Sequence, residues 1–185
     1  DRISPALLKA VKDPSPLVRS AAIEALKYRP SPDVSAALLQ AAGDDSRVVR
    51  IRAAEGLTGY PKETLAPDEA KKLEKAEKEY LAFLMARPDH WSSHYNIGNH
   101  HLSRGEIKES IESYKTALKL EPSAVMASVN MSMAYARAGD SGKANEALKS
   151  ALKIAPENAA RYAAWVQAEG KGAKTAGEVF APLDN

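Results

Sequence analysis

The sequence predicts an all-α fold, a right-handed superhelix (solenoid) of stacked helix pairs. Two internal repeats support this prediction: residues 91–122 align on residues 125–156 at an offset of 34, and residues 6–26 align on residues 37–57 at an offset of 31. Fixed periods of this size are typical of stacked-repeat architectures. The composition agrees, because 44% of the residues are hydrophobic but only two are Trp and two Phe, which favours close helix packing through small side chains.

Residues 1–60 are predicted to form two helix pairs. In this segment Asp13 matches Asp44 and Arg19 matches Arg50. The pattern resembles the HEAT repeat in its short bacterial form. That resemblance implies a structural role for the four residues, because Asp and Arg side chains of HEAT stacks bond between neighbouring turns and fix the superhelix. The expected helices are 4–12 with 15–28, and 33–42 with 46–58.

Residues 61–88 are predicted to form a linker followed by a long adaptor helix at 67–86. Pro67, followed by Asp68 and Glu69, favours a helix start, because proline fits the first turn and acids face the positive end of the helix dipole. The second half of the helix, with Ala76 and Tyr80, resembles the second helix of a tetratricopeptide (TPR) repeat. No first helix is found before it, so the segment is interpreted as half a repeat.

Residues 89–156 are predicted to form two further helix pairs. Gly105 and Gly139 fall where each pair reverses, a place that favours positive φ, and Pro122 and Pro156 close the pairs. With Gly98, Tyr114 and the offset of 34, the segment resembles two TPR repeats. The expected helices are 89–103 with 107–120, and 123–138 with 141–154.

The remaining residues are predicted to form a capping helix at 157–169 and a flexible tail at 170–185. Tyr162 and Trp165 are expected to cover the apolar edge of the last repeat. Val179 and Phe180 are the tail residues able to dock on another surface.

The TPR resemblance implies a groove on the concave face, lined by the first helix of each pair. Such a groove accepts an extended or helical peptide, because methionine side chains adapt to several shapes and asparagine amides bond a bound backbone. Packing against a neighbouring helix is the alternative for some of the lining residues, Val129 and Leu102 in particular. The predicted groove residues are Ser92, Tyr95, Asn99, Leu102, Met126, Val129, Asn130, Met133 and Arg137.

The leading functional hypothesis is a non-catalytic protein–protein interaction scaffold that binds a peptide or a partner domain in this groove. Asn99 and Asn130 coincide with two asparagines of the TPR clamp that grips a C-terminal carboxylate. Tyr95 and Ala160 stand where that clamp has lysines, so binding of a chaperone tail is not expected. No catalytic motif is found, and no cofactor is expected.

The net charge of +2 argues against nucleic-acid binding. A basic surface at Arg47, Arg50 and Arg52 is the alternative, and it predicts salt-sensitive binding. No run of about 20 apolar residues is present, so membrane insertion is not expected.

Histidines cluster at the start of the first TPR-like unit, and His90, His94 and His101 share one helical face. Packing is favoured over metal binding there, because His94 and His101 take places that TPR units fill with packing aromatics. The chain contains no cysteine, which excludes thiolate metal sites within it.

The order of HEAT-like units, long helix and TPR-like units also resembles the C-terminal region of some bacterial multihaem c-type cytochromes. That resemblance implies a haem domain in the same parent chain and a periplasmic location; without it a cytoplasmic location is expected. The chain itself holds no Cys-x-x-Cys-His motif for haem attachment. A start at Asp1 suggests a piece of a longer protein.

Overall fold

The computed structural model describes residues 3–158 together with Arg161, Tyr162 and Ala164. Within these residues the regular structure is entirely helical, which confirms the all-α fold class. The α-helices are α1 (Ile3–Ala10), α2 (Pro16–Leu26), α3 (Pro32–Ala41), α4 (Arg47–Gly56), α5 (Pro67–Met85), α6 (Trp91–Ser103), α7 (Ile107–Leu120), α8 (Val125–Arg137) and α9 (Ser141–Ile154). Short 3₁₀ turns lie at Lys62–Thr64 and Pro156–Asn158.

The chain forms two compact units. Unit 1 comprises the described residues up to Phe83, and unit 2 those from Leu84 onward. The division falls in the last turn of α5.

Unit 1 is built from two helix pairs, α1 with α2 and α3 with α4, followed by α5. Contacts between α2 and α4 join the two pairs. Ile23 and Leu26 on α2, Val49 on α4 and Leu73 on α5 are almost fully buried. The apolar periodicity of the sequence therefore supplies the core of this unit.

An arginine–carboxylate ladder connects successive elements of unit 1. Arg19 Nε and Nη2 donate to the two carboxylate oxygens of Asp44 at 2.9 and 2.8 Å, while Nη1 donates to the Asp13 carbonyl at 3.0 Å. Arg50 repeats the pattern, donating to both oxygens of Glu79 at 2.8 Å and to the Asp44 carbonyl at 2.8 Å. Each guanidinium thus binds a carbonyl of the loop that precedes its own helix and also binds a carboxylate of the next element along the chain.

The linker after α4 is held by local contacts. Gly59 has a φ of +84°, and Lys62 in the 3₁₀ turn forms an ion pair with Glu77 on α5. Helix α5 then begins at Pro67, the residue expected from the sequence.

Unit 2 is built from the pairs α6 with α7 and α8 with α9, and α7 packs against α8. Gly105 and Gly139 sit between the helices of each pair with φ of +73° and +78°. At this φ a side chain is strained, so glycine is favoured there. Pro122 follows the end of α7, and Pro156 opens the second 3₁₀ turn.

The structure modifies the prediction for residues 157–169. Glu157 and Asn158 belong to a 3₁₀ turn, whereas Arg161, Tyr162 and Ala164 have α-helical backbone. Tyr162 is buried against the α8–α9 pair. Trp165 and the predicted tail at 170–185, including Val179 and Phe180, lie outside the described residues.

Candidate functional site

The structure separates the nine predicted groove residues into two sets. Ser92, Tyr95, Asn99, Met126 and Arg137 are half-buried. Leu102, Val129, Asn130 and Met133 are buried. The second set packs inside unit 2 in the unbound chain, as the packing alternative expects for Leu102 and Val129. At Asn130 and Met133 the groove remains a prediction that requires these side chains to become uncovered.

Packing between helices explains the burial. Val129 and Met133 lie one turn apart on α8 and join a cluster with Ala144 and Ala151 of α9 and with Tyr162. Helix α9 and the segment after it therefore cover this part of α8. Leu102 joins a separate cluster that contains α7 side chains.

A polar cluster lies between α6, α7 and α8. Tyr114 Oη donates to Asn99 Oδ1 at 2.8 Å. Asn130 Nδ2 donates to the same oxygen at 2.8 Å and to Tyr95 Oη at 3.3 Å. Burial raises the pKa of Tyr95, an effect that its hydrogen bonds to Asn99 and Asn130 oppose. The four side chains (Tyr95, Asn99, Tyr114 and Asn130) are called the Tyr–Asn cluster below.

The Tyr–Asn cluster leaves one polar atom unsatisfied. Asn130 is fully buried, and its Oδ1 has no hydrogen-bond donor among the described residues. A buried carbonyl without a donor costs about 1–3 kcal/mol, and such groups in native proteins are rare. A donor that reached this atom would therefore form a favourable hydrogen bond.

Tyr114 is a cluster member that the sequence did not predict as a site residue. Its side chain is fully buried, and its ring lies 6.2 Å from the Tyr95 ring, centroid to centroid. Gly98 on α6 makes room for it, because a Cβ at that position would come within 2.5 Å of the Tyr114 ring. The sequence signal was the pair Gly98 and Tyr114, both at motif positions of the first TPR-like unit.

Two family models match the chain. Residues 3–79 match the model of HEAT repeats, and residues 69–125 and 95–159 match that of the tetratricopeptide repeat. The chain carries HEAT repeats followed by tetratricopeptide repeats. The two matches overlap in α5. No curated protein and no solved structure matches the chain. The two family matches are to repeats alone, so the resemblance to multihaem cytochromes remains an expectation.

Arg137, at the end of α8 in the TPR part, binds a helix terminus. Its Nη1 donates to the Leu102 carbonyl at 2.9 Å, in the last turn of α6. A cation is favourable there because the C-terminal end of a helix carries partial negative charge. Arg137 thus joins α8 to α6 beside the Tyr–Asn cluster.

The histidines of the TPR part form hydrogen bonds with nearby side chains and carbonyl groups of the same segment. His101 Nδ1 donates to Glu106 Oε2 at 2.6 Å, and this bond lowers the pKa of Glu106. His94 Nε2 donates to the Pro88 carbonyl at 2.8 Å. Where the structure describes the chain, it brings no three His, Asp or Glu side chains together as a metal site. His90 is exposed beside Arg87.

The arginines of the alternative nucleic-acid surface lie in the HEAT part. Arg50 binds Glu79, and Arg52 Nη1 lies 3.2 Å from Glu24 and 3.0 Å from Glu55. Two of the three predicted phosphate contacts are therefore already neutralised by carboxylates. None of the described helices has the length and apolarity needed to cross a membrane.

Proposed function

We propose that the chain is a non-catalytic scaffold whose TPR part binds an extended segment of a partner protein along α6 and α8. The two repeat families support the coarse function, since stacked helical repeats provide extended surfaces for protein partners. The proposal places the binding face on the half-buried residues Ser92, Tyr95, Asn99 and Met126.

The unsatisfied Oδ1 of Asn130 carries the proposal. An extended peptide has backbone N–H groups that seek acceptors, and an asparagine carbonyl is a suitable one. Because Asn130 is covered in the unbound chain, the Tyr95 or Asn130 side chain must turn when the segment enters. The cost of this movement is offset as the buried oxygen gains its missing hydrogen bond.

Two further side chains of α6 and α8, Trp91 and Met126, suit a peptide of varied sequence. Met126 has three rotatable bonds and a polarisable sulfur, so it can adapt to different apolar side chains. Trp91 lies 6.1 Å from Tyr95, centroid to centroid, and extends the aromatic surface. We therefore expect recognition to depend on the peptide backbone more than on any one side chain.

The proposal is tested with peptides selected from a random phage-displayed library on the wild-type chain. Their dissociation constants are measured by fluorescence anisotropy for wild type, Asn99→Ala and Asn130→Ala. Each substitution is expected to weaken binding about tenfold, the equivalent of about 1.4 kcal/mol. Circular dichroism should show unchanged helix content for all three proteins.

Lys108→Ala is the matched control, because Lys108 is exposed on α7 and belongs to no part of the cluster. It should bind the selected peptides as wild type does. Wild-type affinity in both asparagine variants would reject the cluster as the binding site.

A further inference from the structure

The fixed charges of lysine, arginine, aspartate and glutamate are distributed unevenly between the helices of the TPR part. The first helix of each pair, α6 or α8, contains no aspartate, glutamate or lysine, and the only arginine in these two helices is Arg137, the last residue of α8. The second helices differ, because α7 carries five lysine and glutamate residues and α9 carries four. The proposed binding face therefore lies on the two helices that are almost free of fixed charge.

Partial burial does not by itself explain this lack of charge. In the HEAT part, half-buried positions of α4 carry Arg50 and Arg52. Each of these arginines is paired with carboxylates, Arg50 with Glu79, and Arg52 with Glu24 and Glu55. The half-buried positions of α6 carry aromatic, hydroxyl, amide and imidazole groups instead. A half-buried position of this chain can thus hold a charge, and those of α6 do not.

The ionisable side chains of α6 and α8 that lie near the surface are already bonded within the protein. Arg137 donates to a carbonyl in the last turn of α6. His94 donates to the Pro88 carbonyl, and His101 donates to Glu106. A charged side chain on an entering segment would therefore have to break one of these bonds to gain a counter-charge from α6 or α8.

The accessible groups of α6 form a stripe that can be recognised without charge. Trp91, Tyr95 and Asn99 follow one another at intervals of four residues, which places them on one face of the helix. The rings of Trp91 and Tyr95 lie at one end, and the amide of Asn99, bonded to Asn130, lies at the other. Eight residues of helix span about 12 Å, a length that about four residues of an extended segment cover.

We propose that the TPR face selects segments with a core of about four residues that carry no charge. This inference rests on the proposed function and adds the chemical class of the ligand. Moving a charged side chain from water onto the rings of Trp91 and Tyr95 costs free energy that no counter-charge of α6 or α8 returns. Backbone and amide groups, in contrast, form neutral hydrogen bonds with Asn99 and Asn130. Affinity is nearly independent of salt, because salt screens charge pairs.

The peptides selected on the wild-type chain from the random library test the class directly. Alanine scanning of those peptides that bind Asn99→Ala and Asn130→Ala more weakly defines their core. The core should be depleted in aspartate, glutamate, lysine and arginine relative to the unselected library. A glutamate or a lysine placed in the core should weaken binding about tenfold or more. Raising NaCl from about 0.05 M to about 0.5 M should change the dissociation constant by less than about twofold.

A lysine added to the stripe should change this selectivity. Ser92 is half-buried on α6, one turn before Tyr95. Ser92→Lys should bind the peptide with glutamate in its core about tenfold more tightly than wild type does at low salt, and this gain should disappear at high salt. Ser150→Lys is the matched control, because it adds the same charge at an exposed position of α9. It should bind the glutamate peptide as wild type does.

The outcomes separate this inference from the proposed function. Peptides that depend on Asn99 and Asn130 but need a charged core residue, or lose about tenfold in affinity at high salt, would overturn the inference alone. A lysine or arginine held on the Trp91 and Tyr95 rings would be one such case. Equal affinity of the glutamate peptide for Ser92→Lys and wild type would also overturn it, since the core would then lie away from the stripe. If no selected peptide depends on either asparagine, the inference and the proposed function both fail.

Discussion

Gly98 shows how one residue sets the spacing between two helices of the TPR part. The Tyr114 ring fills the space beside it, with three ring carbons lying 2.5, 2.7 and 3.0 Å from where a Cβ would be. Because Tyr114 is fully buried and hydrogen-bonded to Asn99, its ring cannot move aside without breaking contacts. The absence of a side chain at position 98 is therefore a packing requirement.

Gly98→Ala is expected to destabilise the chain by about 1–3 kcal/mol, the usual cost of overpacking a core. The gain in helix propensity, about 1 kcal/mol, offsets only part of that. Gly142→Ala on α9 is the matched control, because the nearest atom to its Cβ is Asp140 Oδ1 at 3.6 Å. Urea denaturation should show a lower free energy of unfolding for Gly98→Ala and a slightly higher one for Gly142→Ala. Equal changes in the two variants would mean that the Tyr114 ring moves aside for the added methyl group at little cost.

At the scale of an element, the stability that the arginine–carboxylate ladder of unit 1 provides depends on which residue accepts the hydrogen bonds of each arginine. Glu79 closes the ladder from α5, where the bond from Arg50 lowers the pKa of Glu79. A lowered pKa means that the pair contributes its full stability above the unfolded value, about pH 4.3. The contribution is lost as the pH falls through the folded pKa.

Glu79→Gln is expected to cost about 1–2 kcal/mol at pH 7, because a bidentate charged pair is replaced by a neutral one. The difference from wild type should begin to shrink as the pH falls below about 4.3, where the unfolded state takes up the proton, and should vanish once the pH lies below the lower pKa of folded Glu79. Thermal unfolding from pH 7 to pH 3 measures this. Glu74→Gln is the control on α5: Glu74 is 58% exposed in its pair with Lys78, so little change is expected. A constant difference at all pH values would contradict the ladder's role.

The sequence alone located most helices, because period and turn chemistry are local properties. Helix α7 begins at Ile107 and ends at Leu120, and α9 spans Ser141–Ile154, as predicted. Gly105 could be predicted to have positive φ, since a reversal between helices favours it. The resemblance to HEAT repeats also implied a structural role for Arg19.

The site was only partly predictable from the sequence. A repeat motif shows which face of a helix a residue lies on, but it does not show which neighbouring element buries that residue. Val129 and Met133 match groove positions, yet α9 and Tyr162 bury them. Glu79 was missed for a related reason. The ladder acceptor Asp44 lies in a loop within the segments that align at the offset of 31, whereas Glu79 lies on α5 outside those segments, so that internal alignment could not indicate it.

At the scale of the whole molecule, the chain divides into two compact units, each of which can be probed by itself. The clusters around Val129 and around Leu102 contain residues of unit 2 alone. In repeat proteins each element is stabilised mainly by its immediate neighbours, so a local defect spreads over short distances. Local stability is therefore expected to differ between the units. A destabilising substitution should lower the hydrogen-exchange protection mainly of the unit that contains it.

Hydrogen exchange followed by mass spectrometry tests this on Ile23→Ala and Met133→Ala, both at fully buried positions. Each deletion should cost about 2–5 kcal/mol. Ile23 on α2 belongs to unit 1, whereas α7–α9 belong to unit 2, so Ile23→Ala should speed exchange in α1–α4 and leave α7–α9 protected. Met133→Ala should do the reverse. Accelerated exchange throughout the chain in both variants would mean that the array unfolds as one cooperative body. In that case binding on either unit would stabilise the other, because a ligand that binds only the folded state stabilises everything that folds with it.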